Sequence, residues 1–153
     1  MQLFQRILYP TDFSDNSIES MNYAMKVCKT HDAELFILYS YRLNNNGNSD
    51  GISHRNNLAH IGREEFEKVN KELLSTSGVK YSFSSEIGFI VDRILANTLD
   101  SKVDLIVLCD NMLRKIEQKP EKGKEKLLKR INCPVMFVPP ELVAPSEFTK
   151  LQA

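Results

Sequence analysis

The chain has 153 residues, close to the common size of one domain, and a domain of this length buries about 70 % of the surface that its unfolded chain exposes. Basic and acidic residues number 20 each, so the overall charge gives no reason to expect binding to nucleic acid or to an anionic membrane. The first residues lack the apolar run of a secretory signal, and no stretch approaches the roughly 18 apolar residues of a membrane span. The sequence therefore predicts a cytoplasmic protein.

The cysteines and histidines do not have the spacing of a metal site. Cys28, Cys109 and Cys133 form no CxxC pair, so we expect buried, unreactive thiols rather than disulfides or zinc ligands. No cluster of cysteine or carboxylate residues joins the three histidines at ligand spacing. No nucleophile, base and orienting acid can be assembled from local motifs, so no catalytic residues are predicted.

The first forty residues predict a strand, a helix and a second strand. Residues 7–9 form a short apolar run, and the following segment carries apolar residues at three- and four-residue steps, which predicts a helix with one buried face. Ser14 is the expected cap of this helix. The unbroken apolar run at 35–39 is typical of a parallel strand covered on both faces.

The middle of the chain predicts a loop, a helix and a third strand. Residues 42–57 are rich in asparagine and lack apolar periodicity, so we expect a long loop. A helix follows at 58–75, with Ile61 on its inner side, and Gly78 ends it. Residues 79–87 alternate between apolar and polar side chains, as a strand does.

The last third predicts two more strands with helices between them. The apolar spacing over 90–101, which includes Leu99, gives the clearest helix of the chain, and 103–108 is the fourth strand. Residues 110–122 are polar and charged, and no element is predicted there. Leu127, Leu128 and Ile131 mark a last helix, 133–138 is the fifth strand, and 141–153 is a loosely ordered tail.

This alternation of strands and helices predicts an α/β fold with a mainly parallel sheet, right-handed connections and helices on both faces. Ligands of such folds bind beyond the carboxyl ends of the strands, where the strand order reverses. We therefore expect a crevice between residues 10–12, after the first strand, and residues 109–112, after the fourth.

Three segments carry a family resemblance: Ile-Leu-Tyr-Pro-Thr-Asp-Phe-Ser at 7–14, Asp-Leu-Ile-Val-Leu at 104–108, and Glu-Lys-Leu-Leu-Lys-Arg-Ile-Asn-Cys-Pro-Val at 125–135. With them the chain resembles the universal stress protein family over residues 7–139. The resemblance implies a universal stress protein domain at 1–140, a three-layer α/β/α architecture of the adenine nucleotide alpha hydrolase-like type, and a five-stranded sheet in the order 3-2-1-4-5. It also implies a homodimer through the last strand, Val135, Met136, Phe137 and Val138, and an apolar edge of this kind needs cover.

The resemblance also exposes a departure from the ATP-binding members, which carry G-x2-G-x9-G-[ST] after the fourth strand. Glycines there let backbone N–H groups approach the phosphate oxygens. In this chain Cys109 and Met112 occupy the first two glycine positions, and Glu121 and Lys122 occupy the third glycine and its hydroxyl partner, one residue short of the expected spacing. We therefore expect a degenerate crevice, occupied or closed, made of Pro10, Thr11, Asp12, Ser40, Cys109, Met112 and Lys122.

Two features near this crevice admit more than one interpretation. Asp12 matches the residue that faces the ribose and adenine in nucleotide-binding members, but Asp is also favoured in turns for local reasons. The segment 114–130 holds eight basic and three acidic residues, which indicates a solvated helix face or, less simply, a surface for a phosphorylated ligand. Gly123-Lys124 does not form a phosphate-binding loop, because Gln118 stands where that motif needs glycine.

Three functional hypotheses remain open at this point. The first is a non-catalytic, dimeric stress-response or interaction module without ATP or any other cofactor, acting on unidentified protein partners. The second is a nucleotide-binding switch or slow ATPase that uses Asp12 for the nucleoside and the lysine-rich segment 114–126, with Lys122 or Lys124, for phosphate. The third is a crevice that accepts a smaller ligand that is not a nucleotide.

Overall fold

The computed structural model describes residues 3–42, 51–118 and 122–143. Five strands form one parallel sheet in the order β3-β2-β1-β4-β5, as predicted. The strands are β1 (Arg6–Thr11), β2 (Glu34–Tyr41), β3 (Tyr81–Ile87), β4 (Leu105–Cys109) and β5 (Val135–Val138). The helices are α1 (Asp15–His31), α2 (Gly51–Val69), α3 (Ile90–Asp100), α4 (Asp110–Glu117) and α5 (Gly123–Arg130).

The sheet separates two apolar cores, because successive strand residues point to opposite faces. On one face Ile7 and Tyr9 pack with the buried side of α1, which includes Met21. On the other face Leu8 and Ile106 pack with α3, α4 and α5. This is the three-layer α/β/α architecture that the strand and helix order predicted.

The helix boundaries differ from the prediction at two places. Helix α2 begins at Gly51, within the predicted loop 42–57, while residues 43–50 lie outside the described part. It continues as one π-helical segment, Asn70–Leu74. The second difference is helix α4, which was not predicted and follows β4 directly. Met112 and Ile116, four residues apart, lie on one face of this helix, and both are buried.

Three apolar side chains that the periodicity assigned to the helices' inner faces are exposed instead. Ile61 of α2, Leu99 of α3 and Leu128 of α5 face solvent, while Leu74, Ile94 and Leu127 are buried. The periodicity predicts a stripe about half a turn wide, and these residues lie at its edge. The order of the elements is unaffected.

Both described ends of the chain contact the core, because Phe4 and Val143 pack against its cluster on the α1 side of the sheet. The predicted tail begins inside a short 3-10 helix, Pro140–Leu142, and its residues 144–153 lie outside the described part.

Across 3–42, 51–118 and 122–143, no helix is long and apolar enough to cross a membrane. The cytoplasmic location stays a prediction.

Candidate functional site

A cavity of about 700 Å³ lies at the carboxyl ends of β1 and β2. Its lining comes from the residues that follow β1, from the end of β2, from Gly88 after β3, and from α4. This is the expected place for a ligand in an open parallel sheet, and the volume is in the range of small-molecule sites. The expectation of a closed crevice is therefore wrong for this part of it.

Four of the seven predicted crevice residues line the cavity: Thr11, Asp12, Ser40 and Met112. The other three, Pro10, Cys109 and Lys122, are not part of its described lining. Pro10 and Cys109 are buried within their strands, and Lys122 lies at the start of α5 in the left-handed region. Contact of any of the seven with a ligand stays a proposal.

Asp12 forms the turn between β1 and α1. Its Oδ1 accepts hydrogen bonds from the Ser14 backbone N–H at 3.0 Å and from the Ser14 hydroxyl at 2.6 Å. The Ser14 Oγ in turn accepts from the N–H of Ser17 and caps α1, as predicted. The turn role of Asp12 is therefore present in the structure, and it uses one of the two carboxylate oxygens.

The second oxygen of Asp12 is held by α4. Lys115 Nζ lies 2.8 Å from Asp12 Oδ2, and the Asp12 side chain is only 11 % exposed. Burial alone would raise the pKa of Asp12, but the hydrogen bonds from Lys115 and Ser14 outweigh it and lower that pKa below its ordinary value. The carboxylate is therefore ionised at neutral pH and occupied on both oxygens.

This pair gives a stability difference that depends on pH. Asp12→Asn keeps an acceptor for the turn but loses the ion pair, so we expect a variant about 1 kcal/mol less stable at pH 7. Because the folded-state pKa is lowered, the wild-type advantage is complete above the ordinary carboxyl pKa of about 3.9 and is lost as the pH falls through the lower folded value. Urea unfolding of the wild type and the variant at pH 7 and near pH 3 measures this stability difference, and Asp100→Asn, at an exposed position, is the control. A difference of the same size at both pH values contradicts the prediction.

Buried side chains occupy the junction of β4 and α4, the end of the crevice (the phosphate end) where ATP-binding members carry their glycine motif. Helix α4 starts at the residue after Cys109, so no loop separates β4 from it, and Cys109 and Met112 are both buried. The Asn111 backbone N–H at this helix start donates to Asn16 Oδ1 at 3.1 Å, and the Asn111 amide donates to Ser14 Oγ at 2.8 Å. A backbone donor that would face an anion is therefore already bonded within the protein. Glu121 lies outside the described residues.

Most described cations of the basic segment 114–130 have acidic partners in the same molecule. Apart from Lys115, these pairs are Arg114 with Asp110, Lys124 with Glu117, and Lys126 with Asp92. The Arg114 pair lies within α4, while the other two pairs join α5 to α4 and to α3, and all of them leave less charge for an external anion. The solvated-face interpretation of this segment is the one that the pairs favour.

Several cavity residues were not predicted from the sequence. The Arg42 guanidinium lies over the Phe89 ring at 4.7 Å, and the rings of Tyr39 and Tyr41 stack at 6.2 Å. Arg42, Phe89 and both tyrosines line the cavity, as do Lys115 and Gln118. A usable signal existed for some of them, because Arg42 and Phe89 follow the ends of strands whose carboxyl edge forms the crevice.

The cysteines have the character expected of packed thiols. Cys28 and Cys109 are buried and Cys133 is partly buried. Burial raises the pKa of each thiol, and it raises that of Cys28 to about 12. All three thiols are therefore protonated and unreactive at neutral pH. In the described part of the chain no group of three or more metal-binding side chains converges.

The family model for the universal stress protein family matches residues 3–139, which is nearly the whole chain. The chain belongs to the universal stress protein family. Its sequence is 29 % identical over 143 residues to universal stress protein MJ0531 of Methanocaldococcus jannaschii, covering 89 % of this chain and 82 % of that protein. The resemblance noted in the sequence is thereby confirmed.

Solved structures agree on the fold. A universal stress family protein from Burkholderia pseudomallei superposes with a TM-score of 0.70 at 17 % identity, covering 91 % of this chain and 98 % of that one. Two similar structures are of nucleotide complexes: a universal stress protein with cAMP (TM-score 0.60, 17 % identity, 88 % and 96 % covered) and the Archaeoglobus fulgidus protein with dAMP (TM-score 0.55, 11 % identity, 90 % and 98 % covered). The shared fold is the adenine nucleotide alpha hydrolase-like fold.

Proposed function

We propose that this universal stress protein is a non-catalytic module that does not bind ATP and acts through a dimer and through protein partners. The observation that carries the proposal is the junction of β4 and α4. There the chain passes from strand to helix without a glycine loop, and buried Cys109 and Met112 take the space in which backbone would approach phosphate. A triphosphate at this junction would meet buried side chains instead of the backbone N–H donors that bind its oxygens.

The hydroxyls near the crevice support a non-catalytic role because they are bonded to one another. Thr11 Oγ1 and Ser17 Oγ share a hydrogen bond, and the Tyr9 hydroxyl donates to the Ser17 carbonyl oxygen. Burial raises the pKa of Tyr9 well above its ordinary value, so its proton stays in place. A nucleophile needs a base within hydrogen-bond reach, and the described hydrogen bonds of these groups run to one another, to the backbone of Phe13 and Ser17, and to the Cys109 thiol, none of which is a general base.

The proposed dimer uses β5, which pairs with β4 alone and lies at one edge of the described sheet. Phe137 projects from this edge and is 42 % exposed, while Met136 is partly buried. An exposed apolar edge strand is prone to pair with another chain unless it is covered. A second copy of β5 is the cover that we propose.

A nucleotide-binding switch is the second candidate, and the nucleotide complexes of two similar proteins, with cAMP and dAMP, are what favours it. The lysines first considered for phosphate do not help this candidate, because Lys124 pairs with Glu117 and neither Lys124 nor Lys122 is part of the described lining. The cations of the described lining are Lys115, which also binds Asp12, and Arg42, and two side-chain cations do not replace the row of backbone donors that a glycine loop offers a triphosphate. The module without ATP is therefore the better supported function.

Calorimetric titration of nucleotide-free protein with ATP and Mg²⁺ tests the proposal. We expect no saturable heat, because the backbone donors of the family's glycine loop are replaced by buried side chains. Mass spectrometry of the purified protein should likewise detect no bound nucleotide. Saturable binding with a dissociation constant of about 1 μM or below overturns the proposal, and its loss in Lys115→Met but not in Lys124→Met would establish the switch.

A further inference from the structure

The one carboxylate among the described lining residues of the crevice is already hydrogen-bonded within the protein. Asp12 is the only acid among its described lining residues, and both of its oxygens are in use, one with Ser14 and one with Lys115. A cation, or a ligand hydroxyl that donates to a carboxylate, would need such an acceptor. The described lining therefore presents no free carboxylate to sugars, diols or amines.

The charged groups that remain in the described lining are hydrogen-bond donors with positive charge. The Lys115 ammonium is 53 % exposed and uses one donor on Asp12, which leaves two N–H groups for a ligand. Arg42 is exposed at the end of β2, and its guanidinium carries five N–H donors. With one carboxylate and two cations, the charged groups of the described lining sum to one positive charge.

The wall beside these donors is apolar and aromatic. The Phe89 ring lies under the Arg42 guanidinium at 4.7 Å, and Ile90 and Met112 complete this wall. A planar ligand body can occupy such a surface while its charged end reaches the cations. Size is limited as well, because the phosphate end behind Met112 is filled.

We propose that the crevice binds a small organic anion with a single negative charge, of the aromatic carboxylate class. Arg42 and Lys115 hold the carboxylate, and Phe89 and Ile90 contact the planar body. This inference rests on the proposed function, because a crevice that bound ATP would be suited to a triphosphate nucleotide rather than to a small anion with one negative charge. Arg42 and Lys115 are binding residues in this proposal, and Asp12 positions Lys115.

Protein-observed NMR titrations with benzoate and with benzamide test the proposal. The two probes share a planar ring and differ in charge, so we expect benzoate to bind about tenfold or more tightly, with shifts at Gly88 and at the turn 11–14. Charge-assisted hydrogen bonds account for that difference. Equal affinity for both probes, or no binding of benzoate at millimolar concentration, overturns the proposal.

Variants assign the effect to the two cations. Arg42→Gln should weaken benzoate binding about tenfold or more and leave benzamide unchanged, and its exposed position spares the fold. Lys115→Met should do the same, whereas Lys124→Met, which removes a lysine paired with Glu117 outside the crevice, should change neither probe. Unaltered benzoate binding in both crevice variants overturns the assignment. The ATP titration is independent, so ATP binding would remove the proposed function without deciding the benzoate result.

Discussion

Phe137→Lys is expected to halve the hydrodynamic mass of the protein, from twice the chain mass of 17.5 kDa to the chain mass itself, without unfolding it. Phe137 is the exposed aromatic side chain of β5, and a lysine there places a charge on each copy where the proposed interface would bury it. Because the side chain points to solvent in the single chain, the core does not depend on it. Sedimentation or light scattering at several concentrations measures the mass.

Val138→Lys is the matched control for this result. Val138 is fully buried and packs in the core on the α1 side of the sheet, so a lysine there should unfold the chain rather than separate two copies. A lysine at both Met136 and Val138 would mix these two effects, because Met136 is only partly buried and Val138 is fully buried. A folded Phe137→Lys protein with an unchanged mass would refute the interface at β5.

The sheet could be predicted from the sequence because its strands are signalled by their own residues. The apolar runs at 35–39 and 105–108 need no knowledge of distant contacts, since parallel strands are covered on both faces. Helix α3 was predicted to within one residue at its end for a similar reason, its apolar stripe. The strand order came from the family resemblance.

The interior of the crevice could not be predicted to the same depth. Helix α4 was missed because six of its eight residues are outside the core and only Met112 and Ile116 mark its buried face. The contact between Lys115 and Asp12 depends on that helix, and it joins residues about a hundred positions apart in the chain. Periodicity in the sequence predicts contacts only between residues a few positions apart, so it assigned Lys115 to a solvated basic face.

Gly123 is a glycine that the packing of α5 requires. It begins α5 in a buried position, and a Cβ built on it would lie 2.8 Å from the Ile116 carbonyl oxygen and 3.2 Å from Val91 Cγ2. The close approach of α5 to α4 therefore requires the absence of a side chain. The preceding residue, Lys122, adopts φ 52° and ψ 51°, the left-handed conformation in which glycine is favoured.

Opposite substitutions at these two neighbours should have opposite effects. Gly123→Ala is expected to lower the free energy of unfolding by about 1–3 kcal/mol, because the obstructing atom is backbone and cannot rotate away. Lys122→Gly is expected to leave stability unchanged or raise it by up to about 1 kcal/mol, since the left-handed conformation costs lysine more than glycine. Urea unfolding measures both. If Gly123→Ala were as stable as the wild type, the packing role would fail, and a ligand role for this glycine would have to be tested instead.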